Sequence, residues 1–339
     1  MFTQREAAHL EAARSGDQQQ FSELAEPYRR ELRAYCYRLL GSLQDAEDVV
    51  QETMLRAWRR LDTFEGRASF RTWLYKIATN ASLDALTRAA RRSLPATLYP
   101  PADPNTFSVT TLSDPVWLDP CPDEWLDETT ISVEAHYTLR ESVTLAFLTA
   151  LQVLPPRQRA ILVLSDVLDW RASEVAQLLG ITISAVNSAL HRARSTLAKH
   201  YYVAHAENAG ISASTRSLLE RYIRAWEETD VAGLISLLKE DAAYTMPPST
   251  TWFQGKEAIS QFFASSIFMD GLSYRLQPIR ASHQPGFAVY LYDHRTDKFE
   301  AHSIHVLTVD DAQLMALTTF LNPALFSHFG LPNTLAEKI

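Results

Sequence analysis

Residues 64–92 read FEGRASFRTWLYKIATNASLDALTRAARR. From Phe70 onward the apolar residues Phe70, Trp73, Leu74, Ile77 and Ala81 return at helical spacing, which predicts a helix with one buried stripe. Trp73, Lys76 and Asn80 follow at i, i+3 and i+7, so an aromatic ring, a cation and an amide share one edge. A Glu65-Gly66 turn precedes the helix, and the cationic run Arg88, Arg91, Arg92 follows it. Stacking surface, hydrogen-bonding amide and phosphate-seeking charge are together what an unstacked single strand requires. A core helix with a solvated basic end would give the same pattern when the segment is taken alone.

Upstream, FSELAEPYRRELRAYCYRLLG places Phe21, Leu24, Tyr28, Leu32, Tyr35 and Leu39 at three- and four-residue steps, and Gly41 is its predicted C-cap. Ser42 or Asp45 can then cap a second helix, DAEDVVQETMLRAWRRL, whose acidic first turn suits the helix dipole. Its apolar set Val49, Met54, Leu55 and Trp58 is broad enough to serve both a core and a partner.

These stretches, DAEDVVQETMLRAW and FEGRASFRTWLYKIATN, resemble the second conserved region of bacterial sigma factors of the extracytoplasmic-function type over roughly residues 21–92. The resemblance implies that the loop and helix from Phe64 to Asn80 capture a flipped base of the opened minus-ten promoter element. It assigns that contact to Phe64, Ser69, Phe70, Trp73 and Asn80, and Lys76, the cation on the same helix edge, joins them as a candidate minus-ten contact from the residue pattern. It also implies that the preceding helix docks on the clamp helices of the largest RNA polymerase subunit through Asp48, Gln51, Glu52 and Leu55.

Bulk composition is compatible. A chain of 339 residues predicts two or three domains. No apolar run reaches the ~18 residues of a membrane span, and the N-terminus has no signal-peptide core, so a cytoplasmic protein is expected. Cys36 and Cys121 form neither a disulfide framework nor a metal site, and no cofactor is expected. The net charge of −8 conceals a division: +2 for residues 1–95, −8 for 96–136, +3 for 137–205 and −5 for 206–339. Two mildly basic modules are thus separated by an acidic strip and followed by an acidic one, and local charge is what meets DNA.

Residues 93–136 hold seven of the sixteen prolines and eight acids, without Lys or Arg, which predicts a linker unable to fold alone. Within it VWLDPCPDEWLDE sets Trp117, Leu118, Trp125 and Leu126 among acids and prolines. It is similar to a Trp-Leu-x-Pro-Tyr-Pro-Asp element in the linker of a subgroup of long sigma factors, with Cys121 in the Tyr position. Such anchors suit a basic groove for nucleic acid in the polymerase, or equally a packed surface.

LPPRQRAILVLSDVLDWRASEVAQLLGITISAVNSALHRARSTL then reads as helix, short helix, Gly180 turn, helix. Val186, Ala189, Leu190, Ala193 and Leu197 share one face of the last helix, and Ser173 is the expected cap of the one before it. This is a helix-turn-helix pattern, whose second helix enters the major groove. Asn187, His191 and Arg192 can reach base edges, while Ser184, Ser188 and Arg194 suit phosphates. In the resembling family this is the fourth region, which reads the minus-thirty-five element and meets the polymerase flap.

Residues 206–339 give two helices, a short strand, a third helix over 251–268 and four strands. That order, with Trp252, Gly255, Ala258 and Ile259, resembles the SnoaL-like, ketosteroid-isomerase-like cone, which encloses an apolar pocket. Tyr244, Trp252, Asp293 and histidines 283, 294, 302 and 305 are candidates to line it. His302 and His305 are expected on opposite strand faces, hence poor joint metal ligands.

The expected architecture is therefore multidomain: an all-α region 2 bundle (1–95), an acidic linker (96–136), an all-α region 4 helix-turn-helix (137–203) and an α+β SnoaL-like cone (206–339). The expected function is a non-enzymatic sigma factor that binds core RNA polymerase and promoter DNA and is modulated in cis by the cone. A one-component helix-turn-helix regulator with a ligand-sensing cone is the alternative, and an anti-sigma partner or a small-molecule ligand is left open.

Overall fold

The computed structural model describes residues 4–88, 91–111, 117–126, 144–200, 212–310 and 312–336. The chain forms two compact units, Met1–Arg92 with Glu124–Tyr202, and Ser93–Asp123 with Val203–Ile339.

The first unit is helical. Asp17 accepts from the Gln19 and Gln20 amides and starts α2 (Gln18–Leu40), which follows α1 (Gln4–Arg14). Gly41, at φ 70°, adopts the left-handed conformation that glycine reaches without a Cβ clash and donates to Tyr37 O, ending the helix. Of the two candidate caps for α3 (Leu43–Arg59), Ser42 takes the role, receiving the Asp45 amide. Helix α4 (Phe70–Arg88) lies against α2. Its Arg71 makes a bidentate pair with Glu31, and Tyr35 Oη meets Thr79 Oγ1 at 2.9 Å. Phe70, Leu74 and Ala81 of the expected stripe are buried, and Trp73 and Ile77 are half-buried.

The same unit continues with α5 (Leu145–Val153) and α6 (Pro156–Leu162), which widens into a π turn over Val163–Val167. After these come α7 (Ala172–Leu179) and α8 (Ile183–His200). The two helical modules pack on each other. The C-terminal half of α2 is buried all round from Ala34 to Leu40, although its amphipathic pattern predicts one exposed face. Trp170 packs on Tyr75 with ring centroids 5.0 Å apart. Ser173 is not the cap of α7: Arg171 occupies that position, and Glu174 Oε2 reaches back to the Arg171 amide at 2.8 Å.

In the second unit α9 (Ala213–Glu227) and α10 (Val231–Ser236) pack against a seven-stranded sheet. Its strands are β1 (Leu238–Thr245), β2 (Trp252–Gln254), β3 (Tyr274–Ala281), β4 (Gln284–Asp293), β5 (Lys298–Asp310), β6 (Gln313–Phe320) and β7 (Thr334–Leu335). The order is β2-β1-β6-β5-β4-β3, with β1–β6 parallel and β7 paired to β5. Helix α11 is Lys256–Phe262, so the expected third helix loses Trp252–Gln254 to a strand that pairs with β1. The core gathers Tyr222, Trp226, Tyr244, Phe253, Phe262, Phe263 and Phe287. Burial of each such ring contributes about 1.5–3 kcal/mol.

Residues 93–111 and 117–123 are a strap on this domain, not a free tether. Ala102 N donates to Trp252 O, Trp252 Nε1 to Tyr99 O, and Thr250 N to Thr110 O, at 2.8, 2.8 and 2.9 Å. Phe107 sets its ring edge-on against Phe253 and Phe262, at 5.3 and 5.2 Å. At the other end Cys121 pairs with Ser282, and Asp123 takes the His283 amide at 2.7 Å and Arg280 Nε at 3.1 Å. The segment supplies too few apolar side chains to fold alone, but the cone supplies the missing wall. Trp125 and Leu126 belong to the helical unit, where Arg33 lies 4.0 Å over the Trp125 ring. The remaining linker residues expected at 112–116 and 127–136 lie outside the described residues.

Candidate nucleic-acid interface

The six candidate minus-ten residues do not form one cluster. Phe64, Phe70 and Trp73 make an aromatic triad with centroid separations of 5.3–5.7 Å. Phe64 and Phe70 are buried and hold the half-buried Trp73, while Lys76 and Asn80 are exposed. The Ser69 hydroxyl is engaged at the start of α4, receiving the Thr72 amide at 3.0 Å and lying 2.8 Å from Thr72 Oγ1. Beside the triad is a hollow of ≈ 210 Å³ lined by the Thr63–Ala68 loop, Trp73, Lys76, Gln177 and Leu178. Phe64, Trp73 and Lys76 line this hollow, whereas Ser69, Phe70 and Asn80 do not. The loop residues Glu65, Gly66 and Arg67 do, and their place before the helix was the available signal. No sequence pattern signalled Gln177 and Leu178, because they arrive from α7 through tertiary packing.

The helix-turn-helix geometry rests on two local features. Gly180, at φ 66°, turns the chain after α7, and Thr182 Oγ1 takes the Ala185 amide at 3.1 Å to start α8. Val186, Ala189 and Ala193 are buried, with Leu190 and Leu197 half-buried. Ser184, Asn187, Ser188, His191, Arg192 and Arg194 are all exposed. Arg194 is already engaged by both oxygens of Asp166, at 2.9 and 2.7 Å, which raises its pKa further through that hydrogen bond.

Comparison with known families matches these modules in order: Sigma-70 region 2 over residues 24–92, Sigma-70 region 4 over 144–197 and a SnoaL-like domain over 219–316. The chain is 43% identical over 325 residues to the ECF RNA polymerase sigma factor SigG of Mycobacterium tuberculosis, covering 95% of this chain and 86% of that protein. The chain belongs to the ECF RNA polymerase sigma factor family. SigJ of the same species is 28% identical over 325 residues, covering 92% of this chain and 95% of SigJ. The crystal structure of SigJ superposes with a TM-score of 0.55 at 20% identity, over 91% of this chain and 98% of that one, a likeness of fold. As an ECF sigma factor, the protein serves RNA polymerase at promoter DNA.

In this ECF factor the four residues assigned to polymerase form a continuous stripe on α3. Asp48, Gln51 and Leu55 are exposed, Glu52 is half-buried, and Leu55 keeps 43% of its surface in water. The opposite face, with Val50, Thr53, Met54 and Ala57, is buried. Gln44 donates to Asp48, and Arg56 to Glu52, so the acids are held in place along the helix.

The cone's candidate residues separate into two groups. Tyr244 is buried in the core, whereas His283 lies at the β3–β4 turn and Asp293 and His294 at the β4–β5 turn. Trp252 is spent on the strap. The two strand histidines do not diverge as alternation predicts. A bulge at His302 breaks the β4–β5 register, and both rings reach Ser303 Oγ, His302 Nδ1 at 3.1 Å and His305 Nε2 at 3.0 Å. His305 Nδ1 meets Tyr222 Oη at 2.8 Å. Burial, with the neighbouring His302, holds the His305 pKa well below the ordinary imidazole value, and burial also lowers His302. This is a neutral buried network. Among the described residues no group of His, Cys, Asp and Glu is arranged to hold a metal, and no helix is long and apolar enough to cross a membrane.

Proposed function

We propose that the hollow beside Trp73 receives one unstacked promoter base, stacked on Trp73 and approached by Lys76 and the Glu65–Arg67 backbone. The observation that carries this is the aromatic triad opening onto a ≈ 210 Å³ hollow with a cation at its edge. That volume is below the ~300 Å³ where sites for drug-sized molecules begin, and it suits a single flat ring. Asn80, one edge further along α4, serves the strand next to that base.

On this reading α8 lies in the major groove of the minus-thirty-five element, with Asn187, His191 and Arg192 at base edges. Ser184, Ser188 and Arg194 take phosphates, Arg194 after exchanging Asp166 for DNA. The Asp48–Leu55 stripe of α3 docks on the polymerase clamp helices, and region 4 on the flap. Since Gln177 and Leu178 wall the base hollow, region 4 moves away from region 2 when the factor engages polymerase and DNA.

The cone acts in cis. Its support is the strap: the segment that must pay out between regions 2 and 4 is hydrogen-bonded along Ser249–Trp252 and Ser282–His283. Holding it limits module separation; releasing it permits separation. The test is initiation by purified core polymerase on a promoter library with full-length protein and with Phe107→Ala. Initiation that depends on added protein, and that Phe107→Ala raises or lowers several-fold, supports the reading. Equal activity of the two proteins removes cis control, and no initiation by either with intact duplex binding favours a one-component regulator.

A further inference from the structure

At the junction of the two helical modules lies a second cavity of ≈ 290 Å³, bounded by Leu40, the end of α4 and the Gln152–Arg159 segment. Its lining contains three guanidiniums, Arg91, Arg92 and Arg159, and one carboxylate, Asp45. Asp45 is already answered by Arg92 at 2.7 Å. Arg159 is 3% exposed and Gln152 2% exposed, yet neither Arg159 Nε nor Gln152 Nε2 has a hydrogen-bond partner among the described residues. The other Arg159 nitrogens donate to the carbonyls of Leu39, Gln152 and Leu154 and to Gln152 Oε1.

Those acceptors are neutral dipoles. They satisfy N–H groups without cancelling a buried charge, and among the described residues no carboxylate pairs with Arg159 or with Arg91. Burial, with Arg91 as a like-charged neighbour, pushes the Arg159 guanidinium down to about 10. Water in the cavity would leave that charge uncancelled, whereas an oxyanion there offsets it. The remainder of the lining is apolar, including Leu86, Val153, Pro155 and Pro156. The cavity is larger than a bare phosphate needs and approaches the size of ordinary small-molecule sites.

We propose that this cavity is a binding site for a small phosphate ester. Its phosphoryl oxygens take Arg91 and face the buried charge of Arg159, and its apolar or aromatic moiety lies along Leu86, Val153 and the two prolines. Because both modules contribute walls, occupancy would favour the packed arrangement of regions 2 and 4.

The test is melting and calorimetric titration of the full-length protein with inorganic phosphate and with AMP, each balanced against chloride at constant ionic strength. The expected result is a midpoint that rises with ligand, more steeply for AMP. Arg91→Gln should weaken binding roughly ten- to a hundred-fold, the loss of one charged hydrogen bond, with the ligand-free midpoint unchanged or slightly raised because a like charge beside Arg159 is gone. Arg91→Lys should retain most of the affinity, and Arg29→Gln, which removes a distant surface charge, should retain all of it. No rise beyond the chloride control, or equal affinity in Arg91→Gln, would overturn the proposal. So would protection by a short single-stranded oligonucleotide in place of AMP, which would reassign the arginines to the DNA backbone.

Discussion

The Trp170 indole lies 5.0 Å from the Tyr75 ring, centroid to centroid, at an interplanar angle of 49°, and joins region 4 to region 2. Arg71 adds a cation to both rings, at 5.6 Å from Trp170 and 5.0 Å from Tyr75, while its Nε–Nη2 edge donates to Glu31. The two DNA-reading modules are thus packed through aromatic and cation–π contact as well as through Arg159.

If this packing makes the modules one cooperative unit, Trp170→Ala should uncouple them. Loss of a buried Trp costs ~3–5 kcal/mol. Scanning calorimetry should resolve a single helical-unit transition in the parent into two in the variant. Retention of a single transition, merely shifted downward, would mean that Trp170 serves region 4 alone.

Trp73→Ala should remove the stacking surface for the unstacked base. Base–aromatic stacking is worth ~1–3 kcal/mol, so permanganate-detected promoter opening should fall about five- to a hundred-fold while core binding persists. Trp73→Phe should restore most of the opening, since Phe64 and Phe70 still support a ring there. Asn80→Ala, at an exposed position, should reduce opening without lowering stability. Lost core affinity in these variants would count against the assignment.

The α3 stripe predicts the opposite separation of effects. Leu55→Asp and Asp48→Arg alter exposed positions, so the melting temperature should hold. Affinity for core polymerase should weaken by about 1–3 kcal/mol if Leu55 is a buried anchor of that interface. Unchanged affinity in fluorescence anisotropy would move the polymerase contact elsewhere.

His305 predicts an acid-labile cone. Its native pKa lies below that of the unfolded chain, so its stabilising contribution is complete above about pH 6.5. As pH falls below that value, the unfolded state takes up a proton that the native state refuses. Stability then declines by up to ~1.4 kcal/mol per pH unit for that one group, with His302 adding in the same direction. Melting curves of the full chain between pH 7 and 5 should show the cone transition dropping, and His305→Gln should flatten that dependence while lowering stability at pH 7.

Local pattern was enough for what depends on neighbours in the chain. The stripe of α4, the cap at Gly41, the Gly180 turn and the exposed face of α8 all follow from spacing and residue type, whereas the choice of Ser42 over Asp45 as the cap of α3 came from the structure. The strands of the cone were legible for the same reason, except Trp252–Gln254 and Thr334–Leu335, each too short to show a period. Tertiary structure alone decided the rest. It brought Gln177 and Leu178 to the wall of the base hollow, laid Phe107 on Phe253 and Phe262, and enclosed Arg159 beside Leu39. It also bulged β5 at His302, so that two histidines share Ser303 Oγ. An amphipathic period states that a face will be covered but not by what, since the partner may lie a hundred residues away and is chosen by the packing of the whole unit.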